Sequence, residues 1–339
     1  MKKQHLFLSV LLATVLTLSL ALSACGGTDN DSEAAAGSDA EKSEKIKVAL
    51  VLPGSISDAS WNAGAYNGLT YIEENRDDVE TAYVEEISNE KAEATLVNYA
   101  EEGYDLILAF GSEYTESIKN VAAQYPDVYF ANTDQGENLG LPENATTFAA
   151  DESAASYIVG VLAGYLSKSG TVGTVEGFES PDLSSNTVNY FAGFKSIKPD
   201  GNTLNSYVGS WSDVEKAKQT ALAQIEQGAD FIYASGDAIG LGIIDASKEK
   251  TIYVAGYGTD LNSLAPENIV TSVIWNTGIT YNHIIDDIKA GSFKNTIYRE
   301  GLQEGAVTLA DYHGTVPDDI AAKVEEIKEK IFNGEIKLG

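Results

Sequence analysis

The chain has 339 residues, with 22 Lys plus Arg against 51 Asp plus Glu and a formal charge of −29. A surface this acidic repels phosphate backbones and anionic headgroups, which excludes nucleic acid as a partner. One cysteine and three histidines leave no disulfide framework. No His-Glu-x-x-His, Gly-x-Ser-x-Gly or P-loop pattern occurs, so no metal, no cofactor and no enzymatic reaction are expected.

The chain opens on Lys2 and Lys3, then an apolar run from Leu6 to Leu22, then Leu22-Ser23-Ala24-Cys25. A positive start, an apolar middle and small residues before a cysteine describe a lipoprotein signal peptide over 1–24. Cys25 is then the lipidated first residue of the mature chain, and its acyl chains hold the protein on the outer side of the cell membrane. Residues 25–45 are Gly, Ser, Ala, Asp, Glu and Lys with almost nothing to bury, and read as a tether.

From Lys47 onward short apolar runs alternate with helical patterns. Lys47–Leu52 reads as a strand, Asn62–Asn75 as a helix, Thr81–Ile87 as a strand and Glu90–Glu102 as a helix. Asp105–Phe110 is a continuous apolar run, as expected of a strand covered on both faces. Then follow helix 113–124, strands 127–131 and 145–149, helix 153–167, strand 171–176, helix 185–197 and strand 203–208. Helix 213–227, strand 230–234, helix 239–249 and strands 251–255 and 269–274 complete the pattern. This alternation predicts an α/β fold of two Rossmann-like lobes with parallel sheets.

The chain also repeats itself. Gly103-Tyr104-Asp105-Leu106-Ile107-Leu108-Ala109-Phe110-Gly111 matches Gly228-Ala229-Asp230-Phe231-Ile232-Tyr233-Ala234-Ser235-Gly236, an offset near 125. A period this long marks a duplicated lobe. The expected lobes are 46–150 plus 272–293 and 151–271 plus 294–339, with crossings near Ala149–Ser153, Val270–Ser272 and Gly291–Thr296. Ligands of such folds bind beyond the C-terminal ends of the strands, in the cleft between the lobes.

The three tryptophans, Trp61, Trp211 and Trp275, all fall at or just past predicted strand ends, as does Phe178. Flat rings on both walls of a cleft suit a planar ligand. Asp58, Glu113, Asp134, Asp237 and Asp260 also sit at strand ends, where a carboxylate either caps a helix or meets a ligand. Asp134 and Asp260 match across the duplication, which favours ligand contact. Arg76 and Arg299 are the only arginines, and neither lies at a predicted strand end. Anionic ligands are usually held by Arg or Lys, so a neutral or weakly basic ligand rich in N–H or O–H donors is expected.

The stretch from Lys47 to Gly305 resembles the basic membrane lipoprotein family of type I periplasmic-binding-protein folds, which feed ABC importers, several of them for purine nucleosides or bases. The matching pieces are Asp58-Ala59-Ser60-Trp61-Asn62 with Gly68-Leu69, then Tyr125-Pro126-Asp127 leading to Phe130-Ala131 and Asp134. Gly209-Ser210-Trp211-Ser212-Asp213, Gly256-Tyr257-Gly258-Thr259-Asp260, Leu264-Ala265-Pro266 and Gly301-Leu302-Gln303-Glu304-Gly305 complete the set. The resemblance implies that Trp61 and Asn62 help hold a base opposite Asp134. It also implies that nucleoside binders carry an aspartate where Gly258 stands and a lysine where Trp275 stands, which turns the expectation toward a free purine base.

The chain therefore reads as a monomeric, lipid-anchored substrate-binding protein that closes on a small planar ligand, a purine base or nucleoside, and hands it to a membrane permease. The ligand set expected from residues and resemblance together is Asp58, Trp61, Asn62, Gly111, Glu113, Asp134, Phe178, Trp211, Asp237, Tyr257, Asp260 and Trp275. A sugar-binding protein of the same fold, or a ligand sensor, remains open at this stage.

Overall fold

The first half of the chain lays down β1 (Ile46–Val51), α1 (Trp61–Asn75), β2 (Val79–Val84), α2 (Asn89–Glu101), β3 (Leu106–Ala109), α3 (Thr115–Ala122), β4 (Tyr129–Thr133) and β5 (Ala145–Asp151). The computed structural model describes residues 45–57, 61–136, 139–179, 181–236 and 238–339. The expectations placed on the signal segment, Cys25, Asp58 and Asp237 lie outside the described residues.

The second half repeats this plan with α4 (Ser153–Leu166), β6 (Thr171–Glu176), α5 (Pro181–Ile197), β7 (Asn202–Tyr207), α6 (Val214–Glu226), β8 (Phe231–Ser235), α7 (Ile239–Lys250), β9 (Tyr253–Gly258) and β10 (Ile269–Trp275). The chain then returns through α8 (Thr277–Ala290), β11 (Tyr298–Gly301), β12 (Val307–Leu309) and α9 (Asp318–Phe332).

Two six-stranded sheets result, ordered β2-β1-β3-β4-β5-β11 and β7-β6-β8-β9-β10-β12. All the pairings are parallel except that of β12 with β10. The central strands carry the apolar runs: all four residues of β3 and all five of β8 are buried, because helices cover both faces. The edge strand β7, Asn-Thr-Leu-Asn-Ser-Tyr, is buried nowhere along its length, as an edge position allows. On the first sheet α1 packs with α8 and α2 with α3; on the second α4 packs with α5 and α6 with α7.

The duplication extends to the hydrogen bonds. Asn144 Nδ2 donates to the carbonyls of Ala122, Tyr125 and Val128 at 3.1, 3.0 and 2.7 Å. Asn268 Nδ2 donates to those of Ser247 and Ile252 at 3.0 and 2.9 Å. In each lobe this asparagine ties a helix end to the approach of the next strand. Its own carbonyl accepts from the strand alongside, Phe130 N or Val254 N, at 2.9 Å in both.

The chain passes between the sheets at Glu152, at Asn276 and over 302–306. The first lies within the expected Ala149–Ser153 crossing. The others lie beyond the expected 270–272 and 291–296: β10 remains in the second sheet to Trp275, and β11 joins the first sheet, although the sequence pattern places 294–339 in the second lobe. Tyr-Arg-Glu-Gly is too polar to announce a strand by its sequence, yet it pairs along β5 over all four residues.

Candidate functional site

The C-terminal ends of both sheets face a cavity of about 920 Å³ whose lining includes residues at or beside each crossing: Asp151, Glu152, Thr277 and Ala306. The cleft floor is thus the hinge itself.

One wall is an aromatic cluster drawn from both lobes. Trp61, at the start of α1, lies 4.6 Å from Phe110 between ring centroids and meets Trp275 edge-on at 5.2 Å. Trp275 in turn meets Tyr257 edge-on at 5.0 Å. These right-angle contacts place positive ring edges against negative faces, the preferred arrangement of aromatic pairs. Trp275 is 9% exposed, held where β10 leaves the second sheet.

The second lobe also carries Trp211, 38% exposed, with Phe178 5.3 Å away and itself 44% exposed. A Cβ at Gly177 would fall 2.1 Å from Trp211 Cε3, so the absent side chain is what lets the indole lie on the backbone. Trp211 lines the cavity; Phe178 braces it from outside the lining.

The acidic groups divide. Asp134, one residue past β4, lines the cleft; its Oδ1 accepts from Gly136 N at 2.8 Å and its Oδ2 from the Thr115 hydroxyl. Glu113 also lines the cleft, exposed, above Gly111, where a Cβ would fall 2.4 Å from the Glu113 carboxylate. Asp260 does not line it. Its Oδ1 accepts from Asn262 N at 3.0 Å and its Oδ2 lies 3.1 Å from His313 Nε2, so the second copy of this aspartate fastens a turn. Asn62, 8% exposed, is likewise absent from the lining; its Oδ1 accepts from Gly54 N at 3.1 Å and shapes the β1 loop.

Two residues without a sequence signal are central. Glu152, 7% exposed, accepts from the Trp275 indole, from the Tyr257 hydroxyl at 2.9 Å and from the Asn186 amide. Arg299 of β11 also lines the cleft. The expectation of a cleft without cations fails there, because β11 was not legible as a strand. Beneath Gly177, burial pushes the Glu176 carboxyl above its ordinary value, while its bond from the Thr187 hydroxyl pulls the other way.

A family model described as ABC transporter substrate-binding protein, PnrA-like, matches residues 45–339. The chain belongs to this family. It is 28% identical over 302 residues to Basic membrane protein A1 of Borrelia garinii, covering 87% of this chain and 88% of that one. It is 25% identical over 335 residues to the transcriptional activator protein med of Bacillus subtilis, covering 93% and 94%. A solute-binding protein of an ABC transporter system from Conexibacter woesei superposes with a TM-score of 0.73 at 25% identity, over 87% of this chain and 98% of that one. These substrate-binding proteins act outside the cytoplasm and are not enzymes. Among the described residues no helix is long and apolar enough to cross a membrane, and no group of three or more His, Cys, Asp or Glu could hold a metal ion.

Proposed function

We propose that this protein captures a purine base or nucleoside between its lobes, holds it by closing, and delivers it to an ABC permease, while lipid on Cys25 keeps it at the membrane surface. The observation that carries this reading is a cleft lined by indoles of both lobes, Trp61 from the first and Trp211 and Trp275 from the second, together with the acceptors Asp134 and Glu113. A flat ring gains stacking from such indoles at about 1–3 kcal/mol per base. Its N–H groups meet carboxylates, which are acceptors only. Closure follows because a ligand touching both lobes binds the closed state better than the open one.

The test is a thermal-shift screen of nucleobases, nucleosides and sugars. A ligand at about 100 times its Kd adds about 2.7 kcal/mol of stability. A purine gives the largest shift, and Trp61→Ala removes it. A hexose or pentose that outscored every purine would replace this reading with a sugar-binding one.

A further inference from the structure

We propose that Arg299 selects 6-oxopurines over aminopurines by presenting its guanidinium fork to the O6/N7 edge of the ring, with Asp134 accepting from the adjacent ring N–H. This rests on the reading above that a purine occupies the cleft.

Three observations carry it. Arg299 is the one Lys, Arg or His among the described residues lining the cavity. Its side chain is exposed there and has no hydrogen-bond or ion-pair partner among the described residues. Arg76, by contrast, is held by Asp78 and Asp286. In a chain of charge −29, an arginine left without an acid in a cleft that also holds Asp134, Glu113 and Glu152 has its donors free for a ligand.

The sheet register supplies the spacing. Thr133 pairs with Phe148, and Tyr298 pairs with Phe148 from the other side. One step further on, Arg299 pairs with Ala149, and Asp134 follows Thr133 at the end of β4. Arg299 and Asp134 thus flank the same end of β5 from the two neighbouring strands, with about 10 Å between their backbones. That gap leaves room for a ring edge between a five-donor fork and a carboxylate, and no ion pair closes it.

The chemistry then discriminates. Hypoxanthine, guanine and xanthine carry acceptors at O6 and N7, which a guanidinium meets with two bonds, and an N–H at N1 for Asp134. Adenine carries a donor at the 6-position. Its N6/N7 edge opposes a guanidinium and matches a carboxamide instead. Turning adenine over to offer N6–H to Asp134 leaves the fork only one acceptor, N1.

The experiment is calorimetric titration of the full-length protein with hypoxanthine and with adenine, for wild type, R299A and R299Q. Wild type is expected to bind hypoxanthine about 10- to 100-fold more tightly. R299A brings the two affinities to within a few-fold, and R299Q reverses the order. Wild type and both variants should melt alike without ligand, since no partner of Arg299 is lost. Equal affinities in wild type, or a preference that survives in R299A, overturns the selection by Arg299 while leaving purine capture standing. Failure of every purine base and nucleoside to bind wild type overturns both.

Discussion

The Trp275 indole and the Tyr257 hydroxyl donate to the same oxygen of Glu152, which stands where the chain first crosses between lobes. One buried carboxylate therefore fixes two rings of the aromatic wall, one at the end of β10 and one on β9. Glu152→Ala leaves these donors and the Asn186 amide without that acceptor, a loss of about 2–4 kcal/mol in urea unfolding. Glu152→Gln keeps an oxygen for the rings but turns an amide toward Asn186, so its cost is about 1 kcal/mol. Wild-type stability in the alanine variant would show that the wall holds itself.

Helices α4 and α5 touch backbone to backbone through two glycines. A Cβ at Gly160 would fall 1.9 Å from Tyr190 O, and one at Gly193 would fall 2.0 Å from Tyr157 O. Gly160→Ala and Gly193→Ala should each cost about 2–3 kcal/mol by overpacking. The double variant should cost less than their sum, because the first methyl already parts the helices. Gly240→Ala in α7, with nothing within 4 Å, should be neutral or gain up to about 1 kcal/mol.

Glu176 sets a pH dependence. Burial raises its carboxyl above the ordinary 4.5 when folded, so the unfolded chain releases that proton first as pH rises. The group's stability is complete below pH 4.5 and declines as pH climbs through the folded value. Glu176→Gln removes this decline. Its urea midpoint relative to wild type should rise between pH 4 and pH 7, and a constant difference across that range would rule the mechanism out.

Cys25→Ser should move the protein from the membrane fraction to the medium and abolish incorporation of labelled fatty acid. Unchanged retention in membranes would mean that something other than acylation at this residue anchors the chain.

The paired lobes were legible because buried parallel strands need unbroken apolar runs, and Leu106–Ala109 and Phe231–Ser235 supply them in matched surroundings. Trp61, Trp211 and Trp275 announced the cleft because bulky rings at strand ends have few other places to go. Asp134 and Asp260 are indistinguishable by sequence pattern, since a carboxylate that lines the cleft and one that lies outside the lining both follow a strand in the same way. Their difference lies in neighbours, Thr115 for one and His313 for the other, that arrive from distant segments or separate elements. Glu152 falls just before the expected helix 153–167, and donors to it come from α5, β9 and β10, far along the chain. Arg299 was hidden because a four-residue edge strand with a charge on each face, Arg299 on one and Glu300 on the other, has no apolar alternation to reveal it.

Every indole in this chain borders the cleft, and none lies elsewhere to add a constant background. Indole emission, excited at the red edge of the absorption where the 18 tyrosines do not absorb, is therefore a signal from around the cleft. Occupancy and lobe movement can be followed in real time without attaching a dye.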